Sequence, residues 1–128
     1  MILDTSAVLA IIVREPGWEA LFDKIVAAPR AGIGAPTVAE AGIVLRARLG
    51  ASGVSVLTRF LQEFRIETVL FGEEHWRAAV EAYGAFGKGH HPAGLNYGDC
   101  MAYATARLAA LPLLCKGEDF PLTDIPLA

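Results

Sequence analysis

Asp4, Glu40, Asp99 and Asp119 are the residues of this chain most able to do chemistry together. Each stands at the edge of an apolar or glycine-rich segment with no adjacent cation. Two carboxylates about 4 Å apart repel by roughly 4 kcal/mol at an effective dielectric near 20. If the four converge, something positive must join them, and a hard divalent cation with oxygen ligands is the natural candidate. Glu40 is the most telling. Its helical neighbours three and four positions away are Pro36, Thr37, Ile43 and Val44, so no cation on the same helix pairs with it. The others also have plainer readings. Asp4 ends the run Met1–Leu3, with Ser6 the better helix capper; Asn96 and Asp99 have capping-box spacing; Asp119 fits a turn after Gly117, and its neighbour Glu118 points elsewhere.

Other motifs are weaker. Gly84, Gly87, Lys88 and Gly89 hint at a phosphate loop but lack the spacing of a Walker motif and follow a helix. His90 and His91 have no cysteine or third histidine near them for zinc, and read instead as a mobile basic loop with Lys88 that could touch phosphates. Arg46 and Arg48 read as solvated helix charges or as lining of a groove. Asp4-Thr5-Ser6 lacks the second aspartate of an aspartyl-phosphate enzyme.

Holding these acids together falls to a chain of 128 residues, long enough for one domain over 1–128 with one core and no need of disulfides. Its hydrophobic fraction of 54% and mean hydropathy of +0.42 are high for a soluble domain, so another subunit or partner should cover part of the excess. No apolar run approaches the roughly 18 residues of a membrane span, and no basic region precedes an apolar stretch as in a secretory signal. Cys100 and Cys115 lie among apolar residues and read as reduced core cysteines, pointing to a cytoplasmic protein. The net charge of −3 disfavours a broad nucleic-acid surface, but without the four candidate ligands the balance is 11 basic to 10 acidic residues, so any basic surface is local.

The patterning alternates short apolar runs with helical periods. Strands are expected at Met1–Leu3, Ile33–Ala35, Ile66–Phe71 and Leu113–Cys115, with a last short one near Ile125. Helices are expected from Ser6 to Val13, from Pro16 toward Pro29, from Pro36 to Leu49, from Val54 to Phe64, from Glu73 to Phe86 with Trp76, Val80 and Tyr83 on one stripe, and from an Asn96 cap to Leu111. This alternation predicts a three-layer α/β/α sandwich with a mainly parallel central sheet. Sites in such sheets lie at the carboxyl ends of strands. Asp4 and Asp119 follow strands, and Glu40 and Asp99 are placed in first turns of helices facing the same crevice.

Taken in order, Ile2-Leu3-Asp4-Thr5-Ser6, Glu40, Gly94-Leu95-Asn96-Tyr97-Gly98-Asp99-Cys100 and Leu114-Cys115-Lys116-Gly117-Glu118-Asp119-Phe120 resemble a PIN-domain nuclease of the VapC toxin type. The acids stand 36, 59 and 20 residues apart, and the resemblance covers essentially the whole chain. It implies a PIN-like fold and a metal-dependent endoribonuclease that cuts tRNA or ribosomal RNA and blocks growth. Asp4, Glu40, Asp99 and Asp119 would be the catalytic and metal-binding quartet, with Ser6 and Asn96 in support. Lys88, His90, His91 and Lys116 would be candidate RNA contacts. A homodimer silenced by a VapB-type antitoxin in a hetero-oligomer is implied as well. Carboxylates of this kind hold Mg²⁺ or Mn²⁺, and a metal-activated water then attacks the phosphodiester, leaving a 5′-phosphate. In this reading Asp4 bridges, Asp99 and Asp119 complete the ion sites, and Glu40 orients the water. The rivals are a metal-dependent nuclease acting on DNA and a non-catalytic regulatory module that binds a partner.

Overall fold

A computed structural model describes residues 1–128. Four short strands, β1 (Ile2–Leu3), β2 (Gly32–Gly34), β3 (Glu67–Val69) and β4 (Leu113–Leu114), form one wholly parallel sheet in the order β3-β2-β1-β4. Six helices surround it: α1 (Thr5–Ile12), α2 (Trp18–Ala27), α3 (Ala35–Leu49), α4 (Ser52–Glu63), α5 (Glu73–Phe86) and α6 (Tyr97–Ala109). A single 3₁₀ turn, Phe120–Leu122, follows β4.

The strands build three layers because successive side chains on a strand point to opposite faces. In β1, Ile2 joins the core formed with α5 and α6, whereas Leu3 joins the core formed with α1 to α4. Leu113 and Leu114 of β4 divide in the same way. Ile2 is 1% and Leu3 0% exposed, so two-residue strands suffice as the floor of both cores. The fold is the expected α/β/α sandwich. No helix is long and apolar enough to cross a membrane.

Several details differ from the sequence reading. Asp4, not Ser6, caps α1, because its carboxylate accepts the Ser6 N–H at 2.9 Å. Glu40 is the sixth residue of α3 and lies in its second turn rather than its first. The segment near Ile125 makes one isolated bridge, Leu113 to Leu127, instead of a strand. On α5, Trp76, Val80 and Tyr83 face outward and the small residues Ala78, Ala79 and Ala82 pack inward, since α5 lies close against α6. The Lys88–His91 segment makes local hydrogen bonds that the sequence reading did not foresee. Only Nε2–H of His90 can serve the carbonyls of Tyr83 (2.7 Å) and Gly84 (3.1 Å), so this ring closes the end of α5, while His91 Nδ1 accepts the Ala93 N–H.

Two glycines permit close approaches that matter for the site. A Cβ at Gly34, where β2 meets α3, would lie 2.5 Å from Thr105 Oγ1 of α6. A Cβ at Gly98 would lie 2.5 Å from Glu40 Oε2. The glycines thus let α6 press against the end of β2 and the start of α3.

Candidate active site

The site begins where β1 stops. Asp4 leaves the strand and becomes the cap of α1, only 4% exposed. Its Oδ2 accepts both the N–H (2.9 Å) and the hydroxyl (2.6 Å) of Ser6. The Ser6 oxygen in turn accepts the backbone N–H of Lys116 at 2.9 Å. One hydroxyl therefore fixes the carboxylate and ties it to the segment leaving β4. Burial raises the pKa of Asp4; the two Ser6 hydrogen bonds oppose that, and the nearby charge of Glu40 adds to it.

Glu40 projects from α3 toward the same crevice, half-buried. Its Oε2 accepts the Thr5 hydroxyl at 2.9 Å, and its carboxylate occupies the space that a side chain at position 98 would fill. Thr5 bonds Glu40 and Gly98 leaves it room, and the sequence reading singled out neither. The signal was present in each case, since Thr5 adjoins one acid and Gly98 another. A hydroxyl and a missing side chain, however, acquire meaning only when the partner is in place.

Asp99 sits in the first turn of α6, reciprocally bonded to Asn96. The Asn96 N–H donates to Asp99 Oδ2 at 2.9 Å, and the Asp99 N–H donates to Asn96 Oδ1 at 3.0 Å. The capping box is real, and it holds Asp99 at the crevice. Burial first, and then the charges of Asp4, Asp119 and Glu40, push the Asp99 carboxyl up to about 6 against the stabilising Asn96 bond. Asp119, exposed just before the 3₁₀ turn, also bears on Cys115, as do Asp4 and Asp99.

Asp99 thus feels the charges of Asp4, Glu40 and Asp119, and Asp4 feels that of Glu40, but the four acids do not form a finished coordination cage. Like charges with no cation between them hold apart, and Asp99 instead spends one oxygen on its own helix cap. The donor set fits a hard divalent ion: it is all oxygen and carries uncompensated negative charge. No ion pair engages any of the four. Lys116, the cation nearest in sequence to Asp119, gives its ammonium to Glu15 at 2.7 Å. Of the expected RNA contacts, His90 and His91 are engaged within their own segment, Lys116 is paired, and Lys88 is exposed without an ion pair. Cys100 is buried and Cys115 half-buried, both free thiols that burial pushes up to about 11.

Comparison with known proteins agrees with this architecture. The PIN domain family profile matches residues 1–126. Ribonuclease VapC36 of Mycobacterium tuberculosis is 44% identical over 126 residues, covering 98% of this chain and 91% of the relative. Ribonuclease VapC of Mycolicibacterium smegmatis is 40% identical over 125 residues, covering 98% and 97%. Among solved structures, Mycobacterium tuberculosis VapC20, a toxin described as cleaving the sarcin-ricin loop, superposes with a TM-score of 0.79 at 13% identity, covering 99% of this chain and 97% of that one. VapBC2 from Rickettsia felis, solved with a DNA fragment from its promoter, gives 0.77 at 14%, covering 99% and 96%. At these identities the two structures speak to the fold alone.

Proposed function

The chain belongs to the PIN-domain family, among the VapC ribonucleases, and from that premise we propose that it is the toxin of a toxin–antitoxin pair, a Mg²⁺- or Mn²⁺-dependent endoribonuclease that cuts tRNA or ribosomal RNA in the cytoplasm. The observation that carries this reading is half-buried Asp99, held at the cap of α6 under the charges of Asp4, Glu40 and Asp119, with no ion-paired cation at any of the four acids.

Asp4, Asp99, Asp119 and Glu40 are the oxygens that would hold the ion. When bound, it supplies Lewis acidity, lowering the pKa of a water and offsetting charge on the phosphoryl oxygens. The chain supplies orientation and proton handling. Ser6 fixes the Asp4 carboxylate, Asn96 fixes Asp99, and Thr5 occupies Oε2 of Glu40. That leaves Oε1 of Glu40 to face the site and orient the attacking water. The Cys115 thiol, pushed up to about 11, stays protonated at neutral pH and is no nucleophile. In this reading water attacks in place of the substrate's own 2′-hydroxyl, so the products carry a 5′-phosphate and a 3′-hydroxyl.

The surface supports the partners of this reading. An apolar groove between α1, α2 and α4, with Ile12, Trp18, Phe22 and Phe60 in its lining, suits an amphipathic antitoxin segment. The outward Trp76, Val80 and Tyr83 of α5 suit a second copy of the chain.

The test is cleavage of a mixed tRNA and ribosomal RNA pool by antitoxin-free protein with Mg²⁺, Mn²⁺ or EDTA, with DNA assayed alongside. Fragments bearing 5′-phosphates are expected from RNA, lost in EDTA and lost in Asp4→Asn. Undiminished metal-dependent cleavage by Asp4→Asn refutes the mechanism. Cleavage of DNA in place of RNA selects the first rival, and strong partner binding without Mn²⁺ binding in calorimetry selects the second.

A further inference from the structure

The acidic crevice continues into a cavity of about 530 Å³ between α3 and the start of α6. Ile43, Val44 and Met101 give it apolar walls, Glu40 and Asn96 give it a polar end, and the ring of Tyr97 stands at its side. Tyr97 is the first residue of α6, two before Asp99, yet it is 78% exposed. An aromatic ring so placed contributes almost nothing to either core.

We propose that this cavity receives one unstacked nucleobase of single-stranded RNA, with Tyr97 as its stacking platform. The proposal rests on the ribonuclease reading and deepens it, because it defines the substrate as RNA whose bases are free to leave the stack. The volume lies within the range of small-ligand pockets, and apolar walls with a few polar groups at one end are the usual lining. Proteins that take single strands stack bases on exposed aromatic rings, which every base tolerates through its flat face. Asn96 Oδ1 is taken by the Asp99 N–H, so its amide N–H groups remain to meet an acceptor on the base edge.

The shared Glu40 carboxylate ties the cavity to the acidic quartet. A single strand held at those acids brings its next base to the cavity, where a flat ring suits the apolar walls beside Tyr97. A neighbouring hollow of about 300 Å³ between α5 and α6 makes the contrast. Its lining, which includes Val80, Tyr83 and Cys100, is wholly apolar, as suits a protein surface. Tyr97 and Met101 line both hollows and separate the one with a polar end from the dry one.

The test is fluorescence anisotropy with a labelled, mixed-sequence single-stranded oligoribonucleotide and its duplex, in Ca²⁺, on the full-length wild-type chain, Tyr97→Ala and Tyr97→Phe. Sedimentation mass is measured for each protein. Tyr97→Ala is expected to bind the single strand roughly 5- to 150-fold more weakly, the equivalent of one lost base stack. Tyr97→Phe restores binding, the duplex does not distinguish the proteins, and the mass is unchanged. Failure of the wild-type chain to bind the single strand, equal binding by Tyr97→Ala, or a change of mass in Tyr97→Ala overturns the proposal; the last result assigns the ring to an interface between copies. Cleavage in Mg²⁺ is scored separately. Cleavage with unaltered Tyr97→Ala binding removes the pocket and leaves the ribonuclease, whereas Tyr97-dependent binding without cleavage removes the ribonuclease and leaves the pocket.

Discussion

Replacing Gly98 by alanine should separate activity from stability. Gly98 is the second residue of α6 and does not need a positive φ, so the backbone accepts alanine. In a helix that exchange favours folding by roughly 0.5–1 kcal/mol. The new methyl, however, would sit 2.5 Å from Oε2, 2.8 Å from Oε1 and 2.9 Å from Cδ of Glu40. Ordinary contact begins near 3.4 Å, so the carboxylate must retreat by about 1 Å. Glu40 is half-buried and flexible, so it swings toward solvent at the loss of its Thr5 hydrogen bond, a net cost of about 1 kcal/mol. The two effects nearly cancel in stability, and Tm should move by no more than about 4 °C. Activity has no such compensation. A misplacement of about 1 Å in a reacting group lowers kcat/KM by roughly 10²-fold. The assay pairs thermal unfolding with Mg²⁺-dependent RNA cleavage, and adds Glu40→Ala, in which the same Gly98→Ala exchange meets no carboxylate and should stabilise. Wild-type cleavage by Gly98→Ala would refute the reasoning, as would a destabilisation beyond about 2 kcal/mol, which would place the clash in the backbone of α6.

Other outcomes follow from the same geometry. Because the folded Asp99 carboxyl lies near 6, above its ordinary 3.8, its contribution to stability is fully present below about 3.8 and is lost as pH rises through about 6. Metal-free protein should therefore lose Tm across that window, and Asp99→Asn should flatten this part of the profile. In the metal-free protein Asp99 takes up a proton below about 6, so proton and metal compete for it, and the metal concentration needed for half-maximal cleavage should rise as pH falls. Saturating Mn²⁺ should raise the unfolding free energy by about 2.7 kcal/mol at a hundredfold excess over its Kd, and Asp4→Asn, which keeps a capping side chain, should abolish that rise while folding normally. A Tm that ignores Mn²⁺ would count against the metal. Thr5→Val removes the hydrogen bond to Glu40 and should lower kcat more than it raises KM, with unfolding free energy reduced by about 1 kcal/mol; an unchanged kcat would detach Thr5 from the site.

Residue types and order along the chain determined the class of the fold and the identity of the acids. Ile2-Leu3 before Asp4, and Leu113-Leu114 before Lys116, read as buried strands because apolar pairs bounded by polar residues have few other uses, and helices between them force a parallel sheet. The capping relation of Asn96 and Asp99 was equally legible, since three residues of separation suffice to define it. What lay beyond the sequence was every relation across elements. Small alanines on α5 turned Trp76, Val80 and Tyr83 outward, because close packing against α6 outweighed the burial of larger rings. Asp4 took the cap that Ser6 seemed to offer, since the Ser6 hydroxyl was needed to join Asp4 to the Lys116 backbone, 110 positions away. His90, local in sequence, was drawn to carbonyls at the end of α5 that exist only once the helix has stopped. The contact of Glu40 with Gly98, and the nearness of Asp119 to Asp99, are products of chain crossing. A sequence states which charges exist, but the field each one feels depends on burial and distance, and only packing fixes those.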